Sequence, residues 1–250
     1  MKSCTVIHNV TGGGFGGKAN GLQTGALVEY FTEKQKHSIS HMLSVEYRLM
    51  GLDVEERSNT SKYAAKFQDQ LDDCMKAYKW LIEEKKVDPK DVIFIGDSFG
   101  PVLLSNMLAI IGKENAERLP HSAILISGCF DLSAKTIQST YNEEDTVVVS
   151  RNNIDVIEDL YQHEPESYSP INYDPSTISA FNSTKLLVVY SLNEEATKDN
   201  ELFVEELKKN NYPSLQVIAE VGQVHGFPYF CAYSPKIKTT MDQIANFMEE

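Results

Sequence analysis

A five-residue turn between an apolar run and a helical pattern is the feature that most restricts the fold of this chain. Residues 96–100 read Gly-Asp-Ser-Phe-Gly; they follow the apolar run 92–95 and precede a helical pattern that begins at Val102. The backbone of a serine at such a sharp strand-to-helix bend is strained, and small flanking residues make the bend tolerable. Because the bend lifts the hydroxyl out of the sheet, Ser98 is a candidate nucleophile.

Two further segments supply the residue types that a nucleophilic serine needs. A hydroxyl alone is a weak nucleophile near neutral pH, so a histidine must take its proton, and His225 follows the apolar run 215–221. Backbone N–H groups must also hold the developing oxyanion, and glycines let the main chain approach it closely. Gly13 and Gly14, which follow the first apolar run, are the expected donors together with the amide of Phe99.

A carboxylate that orients the histidine is predicted in the loop after the apolar run 185–191. In one known arrangement of such triads the chain order is nucleophile, acid, base, with the acid at a strand end. Three carboxylates compete for this place, namely those of Glu194, Glu195 and Asp199. We choose Glu195 over Glu194 as the orienting acid.

Together these segments resemble the hormone-sensitive-lipase-like group of α/β-hydrolase carboxylesterases, which carries a glycine-rich oxyanion motif and a G-D-S-A-G-G bend. The other similar segments are 44–49, which contains Tyr-Arg-Leu, then 71–81, 88–89, 124–127, 131–133 and 169–170. The resemblance extends from about Thr5 to the C-terminus, and the order of the segments is specific. It implies an α/β-hydrolase fold, a mostly parallel sheet with helices on both faces, and two-step acyl transfer without a metal or cofactor.

The resemblance also implies roles for the residues at matching positions. These are the nucleophile Ser98, the base His225 and the oxyanion donors Gly13, Gly14 and Phe99. Family members usually carry an aspartate four residues before a second aspartate, and Glu195 holds the first of these places relative to Asp199. The expected substrate is a small or hydrophobic ester, with an acetyl ester as a family-level expectation.

The chain departs from the family pattern around both glycine motifs. Thr11 stands where the family has a histidine directly before the glycines, Phe99 replaces an alanine, and Pro101 replaces a glycine. Proline is tolerated in a first helical turn. These departures leave open a second interpretation, a catalytically impaired ligand-binding protein of the same fold. A third interpretation is the hydrolysis of amides or formamides, which uses the same groups. In addition, residues 12–17 satisfy the pattern G-x-G-x-x-G of a phosphate-binding loop.

Family members carry two further strands and a helical lid segment before the glycine-rich strand, whereas this sequence starts at that strand. The strand at about 42–48 is therefore expected at a sheet edge, where unpaired backbone groups favour self-association. We expect either a homodimer or a gene product that lacks the first strands, with reduced stability and an open substrate groove.

Composition excludes several other classes of protein. A chain of 250 residues with 42% hydrophobic content suits one domain, 1–250, with a lid-type insertion at 134–184. A formal charge of −13 argues against nucleic acid and anionic membranes as partners. The four cysteines lack C-x-x-C spacing, so we predict no metal site and a reducing, cytoplasmic location. No apolar run approaches the roughly 18 residues of a membrane span.

Alternating periodicities predict the secondary structure. The predicted strands are 4–9, 42–48, 91–96, 122–127, 185–191 and 215–221. The predicted helices are 21–36, 64–84, 98–112, 235–249, one entered after residue 199, and a short helix at 153–161 that overhangs the site.

Overall fold

Six parallel strands form the central sheet of the computed structural model. The structure describes residues 5–10, 25, 27, 29–31, 39–51, 54–59, 61–140, 158–161, 163–230 and 234–250. The strands are β1 (Thr5–Val10), β2 (Ile39–Ser44), β3 (Val92–Asp97), β4 (Ser122–Ile126), β5 (Lys185–Ser191) and β6 (Leu215–Glu220). Their order is β2-β1-β3-β4-β5-β6, and every neighbouring pair is parallel. The predicted α/β architecture is confirmed.

Seven α-helices whose two ends are both described, together with several shorter turns, lie between and after these strands. The α-helices are α1 (Val54–Ser58), α2 (Phe67–Lys79), α3 (Gly100–Asn115), α4 (Lys135–Thr140), α5 (Pro175–Ala180), α6 (Thr197–Lys209) and α7 (Pro235–Glu249). A π-helical turn, Trp80–Glu84, extends α2. The 3-10 turns are Pro89–Asp91, Ala116–Arg118, Glu166–Tyr168, Pro170–Asn172 and Phe227–Phe230. No helix within the described ranges has the length and apolar character needed to cross a membrane.

Strands β3 and β4 are buried along their whole length because helices cover both faces of the sheet. Ile93 and Ile95 point to one face, where they join the apolar side of α7, including Ile244. Phe94 points to the other face and packs with residues of α2, α3 and α6. Since successive side chains of a strand alternate in direction, a continuous apolar run supplies both cores at once. Each fully buried side chain of this size contributes about 1.5–3 kcal/mol.

The second strand begins and ends earlier than predicted, at 39–44 rather than 42–48. The reason is a set of long-range contacts that turn the chain away from the sheet. The amide of Arg48 donates to Oδ2 of Asp73 at 3.1 Å, and its guanidinium donates to the same carboxylate at 2.7 and 3.0 Å. The carbonyl of Leu49 accepts from the amide of Ala64. As expected, β2 is the terminal strand of the described sheet.

The predicted helices are present where the structure describes their residues, and some of them have shifted ends. The pattern at 64–84 becomes α2 and its π turn, because Asp69 accepts hydrogen bonds from the amides of residues 65 and 66 and so starts the helix late. Helix α3 begins two residues after Ser98, and α7 has the predicted bounds. Residues 25, 27 and 29–31 are helical, as predicted for 21–36. Residues 158–161 are helical too, whereas 153–157 lie outside the described residues.

Helix α3 contacts α5 at a glycine. A Cβ atom on Gly112 would lie 2.1 Å from the carbonyl oxygen of Ala180, so only glycine lets the two backbones approach this closely. The helix that follows Ser98 is thereby packed against the end of the 134–184 insertion.

Candidate active site

Ser98 occupies a strained bend between β3 and α3. Its φ of +56° lies in the left-handed region, which costs a non-glycine residue about 1–2 kcal/mol. Two backbone hydrogen bonds hold the bend: the amide of Ser98 donates to the carbonyl of Ile126 at 2.9 Å, and the amide of Cys129 donates to the carbonyl of Ser98 at 3.0 Å. Ser98 is half-buried. The strained strand-turn-helix context that the sequence predicts is therefore present.

His225 lies in the loop that follows β6, and hydrogen bonds attach this loop to the ends of two other strands. The amide of Gly226 donates to Oγ of Ser127 at 3.0 Å, directly after β4. Oγ of Ser191, the last residue of β5, donates to the carbonyl of Gln223 at 2.8 Å. These contacts hold the histidine at the carboxyl end of the sheet, where a parallel sheet gathers its functional loops.

The bend and the histidine loop meet at the end of β4. Ile126 accepts from the Ser98 amide, and the next residue, Ser127, accepts from the amide of Gly226. Ser127 itself has a φ of +49° and is fully buried. The structure thus places the predicted nucleophile and the predicted base on adjoining loops at one end of the sheet.

Two adjacent carboxylates contact the same imidazole nitrogen. Nδ1 of His225 lies 2.7 Å from Oε2 of Glu194 and 2.9 Å from Oε1 of Glu195. The second oxygen of Glu194 accepts from the amide of Ser191 at 2.8 Å. The second oxygen of Glu195 is buried and makes no hydrogen bond to the described residues. The predicted acid therefore reaches the histidine, but so does its neighbour.

The charge around His225 favours its protonated form. Burial lowers the pKa of the imidazole, but the carboxylates of Glu195 and Glu194 outweigh that effect and hold the pKa well above its ordinary value of 6.5. Both glutamates are largely buried, with 5% and 6% of their surface exposed, so solvent screens this attraction weakly. The two carboxylates therefore stabilise the protonated ring relative to the neutral one.

A further buried carboxylate and a thiol lie beside this pair. Burial raises the pKa of Asp199 well above 3.8, although its Oδ2 accepts from the amide of Asp131 at 2.9 Å. Burial also raises the pKa of the Cys129 thiol, and the charges of Asp199, Glu195 and Glu194 raise it further. Cys129 is thus kept as a neutral thiol next to Ser98.

The side chain of Asn200 joins α6 to the loop after β4. Its Oδ1 accepts from the amide of Gly128 at 3.1 Å, and its Nδ2 donates to the carbonyl of the same glycine at 3.0 Å. Nδ2 also donates to the carbonyl of Ala196 at 2.7 Å. The segment that carries the two glutamates is therefore attached to the loop beside Ser98.

Phe99, which replaces a smaller alanine of the family motif, packs in an aromatic cluster. Its ring lies 6.0 Å from that of Phe67, edge to face, and 5.0 Å from that of Tyr161. Tyr161 belongs to the helical residues 158–161 of the insertion, and its hydroxyl donates to Oε1 of Gln70 at 3.0 Å. The insertion and α2 together enclose the ring that follows the serine.

The other predicted oxyanion donors, Gly13 and Gly14, lie outside the described residues, as does Thr11. Sequence reasoning missed the contact of Glu194 with the histidine; the signal available was the pair of adjacent glutamates in one loop. Among the described residues, Glu194, Glu195 and His225 form the group whose ligand atoms, within 4.8 Å of one another, are close enough to hold a metal ion.

Comparisons with known proteins agree with the fold. A family model described as the α/β hydrolase fold matches residues 64–229, well over half of the chain. No curated protein sequence matches the chain. Among solved structures, a carboxyl esterase 2 from the fungus Tuber melanosporum has a TM-score of 0.79 and 22% identity over 99% of this chain and 78% of the other. A hormone-sensitive lipase from a metagenome library has a TM-score of 0.77 and 17% identity over 98% and 75%. An esterase of the bacterial hormone-sensitive lipase family has a TM-score of 0.75 and 19% identity over 98% and 76%.

Proposed function

This chain belongs to the α/β-hydrolase family, and on that premise we propose that it is a serine hydrolase of carboxylic esters from the hormone-sensitive-lipase-like group. The observation that carries the proposal is the meeting of the strained Ser98 bend with the loop of His225, whose imidazole is backed by carboxylates. The substrate we propose is a small or hydrophobic ester, such as an acetyl ester.

The proposed reaction proceeds in two steps through an acyl-enzyme. Oγ of Ser98 attacks the ester carbonyl while Nε2 of His225 takes its proton, because Nδ1 already faces the carboxylates. Collapse of the tetrahedral intermediate breaks the ester C–O bond, and the imidazolium protonates the departing alcohol. Water then attacks the acyl-enzyme with His225 again as base, which releases the acid and restores the serine hydroxyl.

The remaining roles follow the sequence prediction. We assign the orienting acid to Glu195, whose carboxylate lies against Nδ1. The amides of Gly13, Gly14 and Phe99 are the proposed oxyanion donors. Phe99 precedes the first residue of α3, so the positive end of the helix dipole adds to the attraction for the oxyanion.

The test is hydrolysis of a short-chain aryl ester together with labelling by a fluorophosphonate. The unaltered protein should turn over the ester and become labelled at Ser98, and S98A should lose both properties. Hydrolysis that survives in S98A would overturn the assignment. Failure of the unaltered protein to react with the probe would support the alternative of a ligand-binding protein.

We also propose a cytoplasmic homodimer that pairs through β2. The terminal position of β2 supports the dimer, since an edge strand is a template for pairing with another chain. Cys74 and Cys129 are free thiols, in line with a reducing compartment. Light scattering should give twice the mass of one chain. H41K replaces an exposed histidine of β2 by a charged lysine and should lower the measured mass towards that of one chain. A monomer of high thermal stability would contradict the dimer.

A further inference from the structure

The unusual feature of the site is a single imidazole nitrogen that faces two buried carboxylates. A conventional triad has one acid on Nδ1, and the acid's task is to fix the tautomer and orientation of the ring. Here Glu194 is the closer of the two at 2.7 Å, and Glu195 lies at 2.9 Å. We propose that Glu194 is a second positioning residue, so that both glutamates jointly hold the His225 ring in the orientation that a base requires. This inference rests on the proposed esterase function.

The hydrogen bonds of Glu194 argue for a positioning role. Its Oε1 accepts from the amide of Ser191 at 2.8 Å, which leaves Oε2 aimed at Nδ1 of His225. Ser191 also binds the histidine loop through its hydroxyl. Residue 191 therefore connects the carboxylate and the loop that carries the ring. A glutamate that merely filled space would not need both oxygens engaged in this way.

Oε2 of Glu195 is buried without a hydrogen-bond partner among the described residues, so this carboxylate depends on the contact of its Oε1 with His225. Two carboxylates at hydrogen-bond distance from one imidazolium leave a net negative charge in a buried site. Removing the proton from His225 would leave two like charges facing each other without a cation between them. Deprotonation of the base is therefore opposed by both glutamates, and loss of either one eases it.

Two cations lie on the described elements at this end of the sheet, and each is paired with another carboxylate: Lys198 with Glu201 at 3.2 Å and Lys236 with Glu220 at 3.1 Å. The other titratable groups near the ring include Glu194, Glu195, Asp199, Cys129, Asp97 and Tyr229. These six groups are acids or neutral hydroxyl and thiol groups, so the charge closest to the ring is that of the two glutamates.

The decisive experiment compares E194Q, E195Q and the double variant by the pH profile of kcat/KM on a short-chain aryl ester. We expect each single variant to keep its plateau value within about tenfold, because the other carboxylate still orients the ring, and to shift the acid limb to lower pH. The double variant should lose about 10³-fold or more, as expected for a ring without its orienting acid. E201Q, on the outer side of α6 and paired with Lys198, is the matched control and should leave the profile unchanged.

A second measurement does not depend on turnover. The pKa of the His225 ring, followed by NMR, should lie well above 6.5 in the unaltered protein and should fall in each single variant. The inference is overturned if kcat/KM falls by about 10⁴-fold in one single variant while the other variant keeps both its kcat/KM and its pH profile. It is also overturned if the pKa of the His225 ring in the unaltered protein is close to 6.5. A different result separates the two proposals. If the pKa of the ring shifts as expected but the protein shows no hydrolysis that depends on Ser98, the proposed function is wrong and the joint positioning of His225 by the two glutamates is retained.

Discussion

The backbone amide of Gly226 donates to Oγ of Ser127 at 3.0 Å, and this hydrogen bond attaches the histidine loop to the end of β4. In S127A the buried amide loses its acceptor, which costs about 1–3 kcal/mol when nothing replaces it. His225 is the preceding residue, so a small displacement of the loop misplaces the base. We expect kcat to fall by about tenfold or more, with little change in KM. S179A, which removes an exposed hydroxyl from α5, is the control and should retain full activity. An S127A variant with normal kcat would contradict the role of this bond.

The bend at Ser98 should reverse the usual ranking of alanine and glycine. Both S98A and S98G lack the nucleophile, but only glycine adopts a φ of +56° without strain. We expect S98G to unfold at a higher urea concentration than S98A, with a difference of about 1 kcal/mol.

Ser105 provides the matched comparison, since it lies inside α3 with ordinary helical geometry. There S105G should be less stable than S105A by about 1 kcal/mol. The same sign at both positions would show that the bend is not strained.

The contact between α3 and α5 predicts a destabilising alanine at a helical glycine. Glycine to alanine in a helix normally stabilises by about 1 kcal/mol. At Gly112 the new Cβ would meet the carbonyl oxygen of Ala180 at 2.1 Å, so the helices must separate and G112A should lower the melting temperature. Gly25 is exposed and its Cβ would meet no atom within 4 Å, so G25A should raise it. Equal shifts in calorimetry would rule out the close approach.

Burial of Asp199 should make stability depend on pH in a direction opposite to that of a salt-bridged carboxylate. Its pKa is raised above 3.8 in the folded protein, so the folded state loses stability as pH rises through and beyond that value. D199N removes the ionisable group while its amide oxygen can still accept from Asp131. In urea titrations D199N should therefore gain stability over the unaltered protein at pH 7, and the gain should shrink towards pH 4.

Asp174 is the control for this titration. Hydrogen bonds from Ser176 and from the amide of Thr177 lower the pKa of Asp174 to about 2, so its charge supports the folded state above pH 4. D174N should give no gain at pH 7. A gain in both variants would mean that the effect comes from net charge rather than burial.

The parts of this fold that sequence predicts well are those set by local patterns. Strands β3 and β4 are buried on both faces, so each is a continuous apolar run that the sequence shows directly. The glycines around Ser98 likewise indicate the bend. The end of β2 was misplaced because contacts between Arg48 and Asp73 decide where the chain leaves the sheet. Such a contact joins residues 25 positions apart and leaves no local signature.

The acid of the site illustrates the same limit. Sequence order indicates the loop after β5, but two neighbouring glutamates there differ in no local property. Which oxygens reach Nδ1 is decided by the turn, where the amide of Ser191 fixes Glu194. Both side chains reach the ring, an outcome that a one-acid scheme does not anticipate. The oxyanion glycines, Gly13 and Gly14, remain a prediction.

The side chain of Asn200 hydrogen-bonds to both the backbone N–H and the carbonyl of Gly128, which lies 72 positions earlier in the chain. A chimera with a breakpoint between these two positions would take the loop from one parent and its bonding partner from another. Gene shuffling with homologues should therefore yield folded progeny mainly when both segments are inherited together, however well the sequences align at the junction.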